Sequence, residues 1–315
     1  MTSLAVLSGC AEPPAAPLRV GINAWVGYDP LVLARERGWT DATRLRVVDM
    51  FSNSESLRAL RNGLLDAAAL TLDEVLRETD AGLPLTILSV LSVSAGADAV
   101  LSRPDVLHAA DLRGRRIGFE RNALGALMLD QLLQEGSLRP EEVQALAVEG
   151  VQHVDMLRTG RIDAVVTFEP MASQLRNLGF RTIFDSRQMP GEIIDVLACR
   201  RGVRPEQAMP LLQAWARGLA ALQSDPAAAA SLLAASAELS EQDYLQTLKG
   251  LRFMSLDESA TELARDERGH VALATQAAAM LRTLRRLSLV RQDPDWPRLV
   301  DDRALQRLLR SAGAT

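Results

Sequence analysis

The chain has 315 residues, enough for two lobes with a core in each. A net charge of −5 argues against a nucleic-acid partner, which would need a basic face, and 48% hydrophobic with 24% charged residues is the balance of a globular protein. No run of 18 apolar residues occurs, so no helix is expected to span a membrane.

Residues 1–17 are predicted to be a lipoprotein-type leader and tether. A short apolar stretch from Leu4 to Leu7 runs into Ser8-Gly9-Cys10 and then into a Pro/Ala-rich segment. Leu7-Ser8-Gly9-Cys10 resembles the bacterial lipobox, which implies cleavage before Cys10 and a lipid on it. The stretch ahead of Cys10 is shorter than such signals usually are and carries no Lys or Arg. Cys199 sits in an apolar run and is expected to be a buried thiol rather than a disulfide partner.

Leu18 to Asn23 is a short apolar run, followed by a loop with Gly27 and a helical pattern from Pro30 to Arg37. Strand Leu45 to Met50, helix Ser54 to Arg61 and strand Ala67 to Thr71 complete the unit. A second unit repeats it with Arg116 to Glu120, Leu124 to Glu135, Val143 to Val148, Val151 to Arg158 and Ala164 to Thr167. RNGLLDA at Arg61 and RTGRIDA at Arg158 are 97 residues apart. Gly21 to Gly63 and Gly118 to Gly160 are both 42-residue steps. Alternating strands and helices predict parallel βαβ units, and a glycine past each helix permits a left-handed cap. The register therefore predicts two similar α/β lobes.

Two apolar runs, Ala97 to Ser102 and Ile193 to Arg200, are predicted to carry the chain into lobe two and back, making a two-strand hinge. Lobe one is then 18–98 plus 199–315, and lobe two is 99–198. Everything after about Val203 is helical in pattern and should pack on lobe one.

Ligands of open α/β sheets bind beyond the carboxyl ends of the strands. Two such edges face to face form a cleft. The candidates at those ends are Trp25, Gly27, Tyr28, Ser52, Asn53, Asp73, Asp98, Glu120, Asn122, Glu169 and Asp195. Trp25 and Tyr28 share one loop in a chain with 4 Trp and 2 Tyr, and can provide a stacking wall. Acids are in excess, although an acid near a helix start also complements the helix dipole without any ligand. His108, His153 and His270 share no metal-ligand spacing, and no nucleophile elbow, P-loop or dinucleotide fingerprint occurs. Neither a metal, a cofactor nor an enzyme activity is expected.

Val20-Gly-Ile-Asn-Ala-Trp25-Val-Gly27-Tyr28, the step Leu33 to Gly38, Arg61 to Ala67, Asp111 to Gly118, Gly160 to Val166 and Gly250 to Leu256 together resemble the nitrate/sulfonate/taurine family of periplasmic substrate-binding proteins. That family also includes binders of thiamine-precursor pyrimidines. The resemblance implies a type II periplasmic binding fold that captures a small solute between closing lobes and delivers it to an ABC permease. It also implies an extracytoplasmic monomer, lipid-anchored at Cys10 and needing no cofactor. The acid-rich cleft is expected to take a neutral or cationic nitrogen-rich solute: a guanidinium, amidine, amine or aminopyrimidine. The alternatives are a sulfonate, taurine or nitrate-type anion, or a solute-sensing module for a signalling receptor.

Overall fold

The computed structural model describes residues 16–312. Cys10 and its lipidation lie outside the described residues. Eleven strands occur in chain order: β1 Leu18–Asn23, β2 Leu45–Met50, β3 Ala67–Thr71, β4 Leu85–Ser94, β5 Asp98–Ser102, β6 Arg116–Phe119, β7 Gln144–Ala147, β8 Ala164–Phe168, β9 Arg181–Asp185, β10 Ile194–Arg200 and β11 Leu251–Phe253. They form a six-stranded sheet ordered β11-β4-β10-β3-β1-β2 and a five-stranded sheet ordered β7-β6-β8-β5-β9. In each, the repeat unit supplies three parallel strands, and the crossing strands pair antiparallel to them. Every residue of β3, β4 and β5 is buried, because helices cover both faces of these sheets.

The repeat is a structural duplication down to single hydrogen bonds. Asp66 accepts from the Arg19 backbone N–H at 2.9 Å and from its guanidinium at 2.9 and 2.8 Å, while Arg19 also donates to the Gly63 carbonyl at 2.9 Å. Shifted by 97 residues, Asp163 accepts from the Arg116 N–H at 3.0 Å and from its guanidinium at 3.0 and 2.9 Å, and Arg116 donates to the Gly160 carbonyl at 2.8 Å. Gly63 and Gly160 adopt φ of +70° and +69°, which turns each carbonyl toward its arginine. The two similar heptapeptides are thus clamps tying the third strand of each lobe to the start of the first. Asp163 has 9% of its side chain exposed against 27% for Asp66, so its bonds are less diluted by water. We expect Asp163→Ala to destabilise the protein by about 2 kcal/mol and Asp66→Ala by less. Urea titration measures both, and the reverse order would refute the assignment of the difference to exposure.

The structure departs from the sequence expectations first at the lobe boundaries: Asp98, expected in lobe one, opens β5 of the second sheet opposite Phe168, so the outgoing crossing is residues 95–97. All of β10 pairs with β3 and β4 in the first sheet. The return crossing therefore lies before it, in residues 186–193, and the lobe-two boundary at 198 falls inside a lobe-one strand. Second, the tail is not wholly helical: β11 pairs antiparallel with Ser92–Ser94 and covers the outer edge of β4, which would otherwise be open.

The tail's first helix, Pro205–Ser224, packs on Asp29–Glu36 so closely that a Cβ on Gly218 would lie 1.8 Å from the Pro30 carbonyl oxygen. Its Trp215 is fully buried and donates to the Met254 carbonyl at 3.2 Å. The tail also reaches lobe two, where Arg286 forks onto the Asp130 carboxylate at 2.5 and 2.6 Å.

Candidate functional site

The parallel strands of both lobes end at one cleft. Asn23 and Thr71 close β1 and β3 on one side, and on the other Glu120 follows β6 while Phe168 closes β8. These four are related in pairs by the same 97-residue shift, and all four line the cavity there, together with Trp25, Tyr28, Asn53, Asp98, Leu124 and Asp195. The cavity is nearly closed, with a volume of about 20 Å³, room for about one water molecule, so a solute needs the lobes to part. Trp25 of lobe one meets Phe168 of lobe two edge-to-face, with ring centroids 5.8 Å apart, so the lobes touch through aromatics across the site.

Asp195 organises one wall. Its carboxylate accepts from Trp25 Nε1 at 3.0 Å, Tyr28 OH at 3.2 Å and Ser92 Oγ at 2.6 Å. Burial pushes it up to about 6, while the three donors pull the other way. Tyr28 rises well above its ordinary value through burial and the Asp195 charge. Gly27 is what lets the loop fold so tightly, since a Cβ there would collide with the Trp25 indole at 2.2 Å.

Asp98 begins β5 and is 3% exposed. Its Oδ2 has no hydrogen-bond partner, and neither do Asn23 Oδ1, Asn53 Oδ1 or Thr71 Oγ1. Buried polar atoms are normally paired, so four unpaired ones around a single cavity point to a missing hydrogen-bonding partner: the two amide oxygens call for donors, while the Thr71 hydroxyl and a neutral Asp98 can also donate. Burial pushes Asp98 up to about 8, helped by the charges of Asp195, Glu169 and Glu120. Among the described residues, no Lys or Arg lines this cavity. Among the described residues no His/Cys/Asp/Glu group could hold a metal ion.

Two helices start at the cleft, Asn53–Arg61 and Ala123–Glu135. Ser52 caps the first by accepting from the Glu55 N–H at 3.2 Å, and Asn122 caps the second by accepting from the Gly125 N–H at 2.7 Å. Ser52 and Asn122 are therefore engaged by their own helices and do not line the cavity. The Ala123 N–H is also taken. Glu74 of lobe one, fully buried, reaches across and accepts from it at 2.6 Å. Burial and the neighbouring Asp73 charge push Glu74 up to about 8.

Residues 11–237 match the model of the NMT1-like family, which is most of the chain. The chain belongs to the NMT1-like family. Among solved structures, the alkanesulfonate-binding protein SsuA from Xanthomonas axonopodis pv. citri, bound to MOPS, is similar with a TM-score of 0.74. It is 18% identical over 92% of this chain and 99% of that one. The periplasmic aliphatic sulphonate binding protein SsuA from Escherichia coli has a TM-score of 0.73 and 17% identity over 91% and 92%. The desulfurization enzyme DSZB has a TM-score of 0.65 and 17% identity over 95% and 100%. No curated protein matches by sequence. At these identities the likeness establishes the fold, that of periplasmic binding proteins, in agreement with the resemblance carried by the motifs.

Of the eleven candidates in this NMT1-like chain, six line the cavity: Trp25, Tyr28, Asn53, Asp98, Glu120 and Asp195. Gly27, Ser52, Asp73, Asn122 and Glu169 do not. Glu169 turns away to pair with Arg176 and to accept from the Ser173 N–H at 3.0 Å. Asp73 is fully buried, and burial lifts it to about 7, helped by the charges of Asp98 and Asp195 and opposed by Thr71 and its own backbone N–H. Phe168, Leu124, Asn23 and Thr71 were not singled out. The 97-residue shift was the signal for three of them, since it maps Asn23 onto Glu120 and Thr71 onto Phe168. Cys199 is far from this chemistry: it pairs with Ala67 at the opposite end of the sheet, and burial pushes its thiol up to about 12.

Proposed function

We propose that the chain is the extracytoplasmic solute-binding component of an ABC importer, closing two lobes over one small molecule and presenting it to a permease. The observation that carries this is the cleft between the lobes, walled by aromatics from both and by four buried polar atoms without partners. Two crossing segments join the lobes, the arrangement that permits hinge closure. No helix of the described residues is long and apolar enough to cross a membrane, so attachment would come through the proposed lipid at Cys10.

Two solute classes have separate support. The sulfonate binders among the structural neighbours favour an anion, and they are the more direct support. The cavity wall favours the nitrogen-rich class: a planar guanidinium, amidine or aminopyrimidine would stack on Trp25 and Phe168 and donate to Asp98, Asn23, Asn53 and Thr71. An oxyanion there meets Glu120, Asp98 and Asp195 and, among the described residues, no cation. The fold also serves sensing and, in DSZB, catalysis, so site chemistry has to decide.

The test is thermal unfolding against guanidine, amidines, polyamines, aminopyrimidines and thiamine, with taurine, alkanesulfonates and nitrate alongside. A ligand at about 100 times its Kd adds about 2.7 kcal/mol, which shifts Tm by several degrees. A shift with either class supports a solute-binding role and selects the solute. If no small solute of either class shifts Tm, the binding role itself falls.

A further inference from the structure

We propose that the strand edge of lobe one opposite the cleft is an anionic-lipid docking face, built from arginines that the solute site does not use. Two grooves meet at the loop after β10 and share Arg200, Arg201, Gly202 and Val203. Together they are lined by eight arginines and three aspartates, a surplus of five positive charges on a chain whose net charge is −5. Arg46, Arg200, Arg201 and Arg204 form no ion pair with a described residue, while Arg19, Arg298 and Arg303 do. All four are exposed. Charge this segregated would orient the molecule at an anionic surface, drawing this face in and repelling the remainder.

Arginine suits a phosphodiester surface. Its guanidinium is weakly hydrated, never neutral, and forks onto phosphate oxygens. Of the 35 basic residues only Lys249 is a lysine, and it lies elsewhere. A second observation sets the occupant as a bilayer. The N-terminal segment enters the molecule at this face, with Ala16 and Pro17 lining the groove beside Arg19 and Arg46. Six residues lie between Cys10 and Pro17, and the seven steps reach about 25 Å when extended. A lipid at Cys10 would hold this edge, rather than the cleft, next to the headgroups. Lobe two and the cleft mouth would then stand away from the surface until a permease engages them. The face stands on its arginines whatever solute the cleft takes.

The experiment uses the full chain carrying Cys10→Ser, so that no acyl chain contributes. Sedimentation with phosphatidylglycerol vesicles is compared with phosphatidylcholine vesicles over a salt series. We expect binding to phosphatidylglycerol alone, weakening as salt rises. Arg200→Glu, Arg201→Glu and Arg204→Glu together should lower it about a hundredfold, and Arg161→Glu on lobe two should leave it unchanged. Should the triple variant melt early, Arg46→Glu with Arg298→Glu on the two outer rims serves instead. Equal binding to both lipids, no binding to either, or undiminished binding by the reversed variants overturns the proposal. Stabilisation by inorganic phosphate without vesicle binding would overturn it too, in favour of a soluble phosphate ligand.

Discussion

Raising the pH from 6 to 8 should tighten binding of a guanidinium or amidinium solute about tenfold per unit until Asp98 is ionised, whereas an alkanesulfonate should bind almost evenly up to about pH 8 and weaken above it. The sign follows from Asp98, whose value in the unliganded cleft is about 8. At pH 6 its carboxyl is neutral. A cation gains most from the ionised form, so below pH 8 each bound cation must drive off one proton, and affinity falls as pH falls. A sulfonate needs donors, and a neutral carboxyl supplies one through its O–H; on ionisation the same group becomes a repelling charge. The groups around it do not reverse this. Glu120, Glu169 and Asp195 are acids that lose protons over the same direction of change, and Tyr28 is held well above its ordinary value. Titration calorimetry in buffers of different ionisation enthalpy reads the proton directly: about one released on binding a cation below pH 8, about one taken up on binding an anion above it. A flat profile with no proton exchange would show that Asp98 does not meet the solute.

Much of the fold was legible because its rules are local and repeated. Hydrophobic runs, a glycine after each helix and a 97-residue echo specify two βαβ units without any knowledge of long-range contacts. The echo reaches single interactions: a Cβ on Gly21 would come within 2.5 Å of Leu65, and one on Gly118 within 2.7 Å of Ile162, its counterpart. The strand β11 was not legible, because Leu251–Phe253 is three residues long and becomes a strand only by meeting the edge of β4, more than 150 positions earlier. The site divides the same way. Strand ends predicted which residues gather at the cleft, but spacing cannot say which oxygens are spoken for. Asp195 looked like a solute acceptor, yet its oxygens are occupied by Trp25, Tyr28 and Ser92, which makes it the residue that positions the aromatic wall. Asp98, identical in type, kept an oxygen unpaired. The difference lies in partners 103 to 170 positions distant, and only the folded chain shows them.

Replacing Glu74 by alanine should loosen the lobes in the absence of solute and raise affinity for sulfonates about tenfold, while leaving cation affinity within about twofold. Glu74 begins the helix Leu72–Asp80 in lobe one, and its Oε1 takes the Ala123 N–H at the start of a thirteen-residue helix in lobe two. Helix starts are where oxyanions bind well, because unpaired N–H groups and the helix dipole point outward together. In this chain that position is already filled by a side chain from the opposing lobe. The Glu74 carboxyl thus does two things: it bridges the cleft and it excludes an external oxyanion from the N–H it holds. Its second oxygen lies 3.5 Å from Arg77, so the carboxyl is aimed rather than adrift. Glu74→Gln separates the roles, since an amide oxygen can still accept from Ala123 but never carries charge. Solution scattering should give a larger radius of gyration for the alanine variant and an unchanged one for glutamine. Sulfonate affinity should rise with alanine far more than with glutamine if occupancy of the N–H is what excludes the anion. Equal gains in the two variants would instead assign the exclusion to charge, and no change in either would mean that the helix start contributes nothing to solute choice.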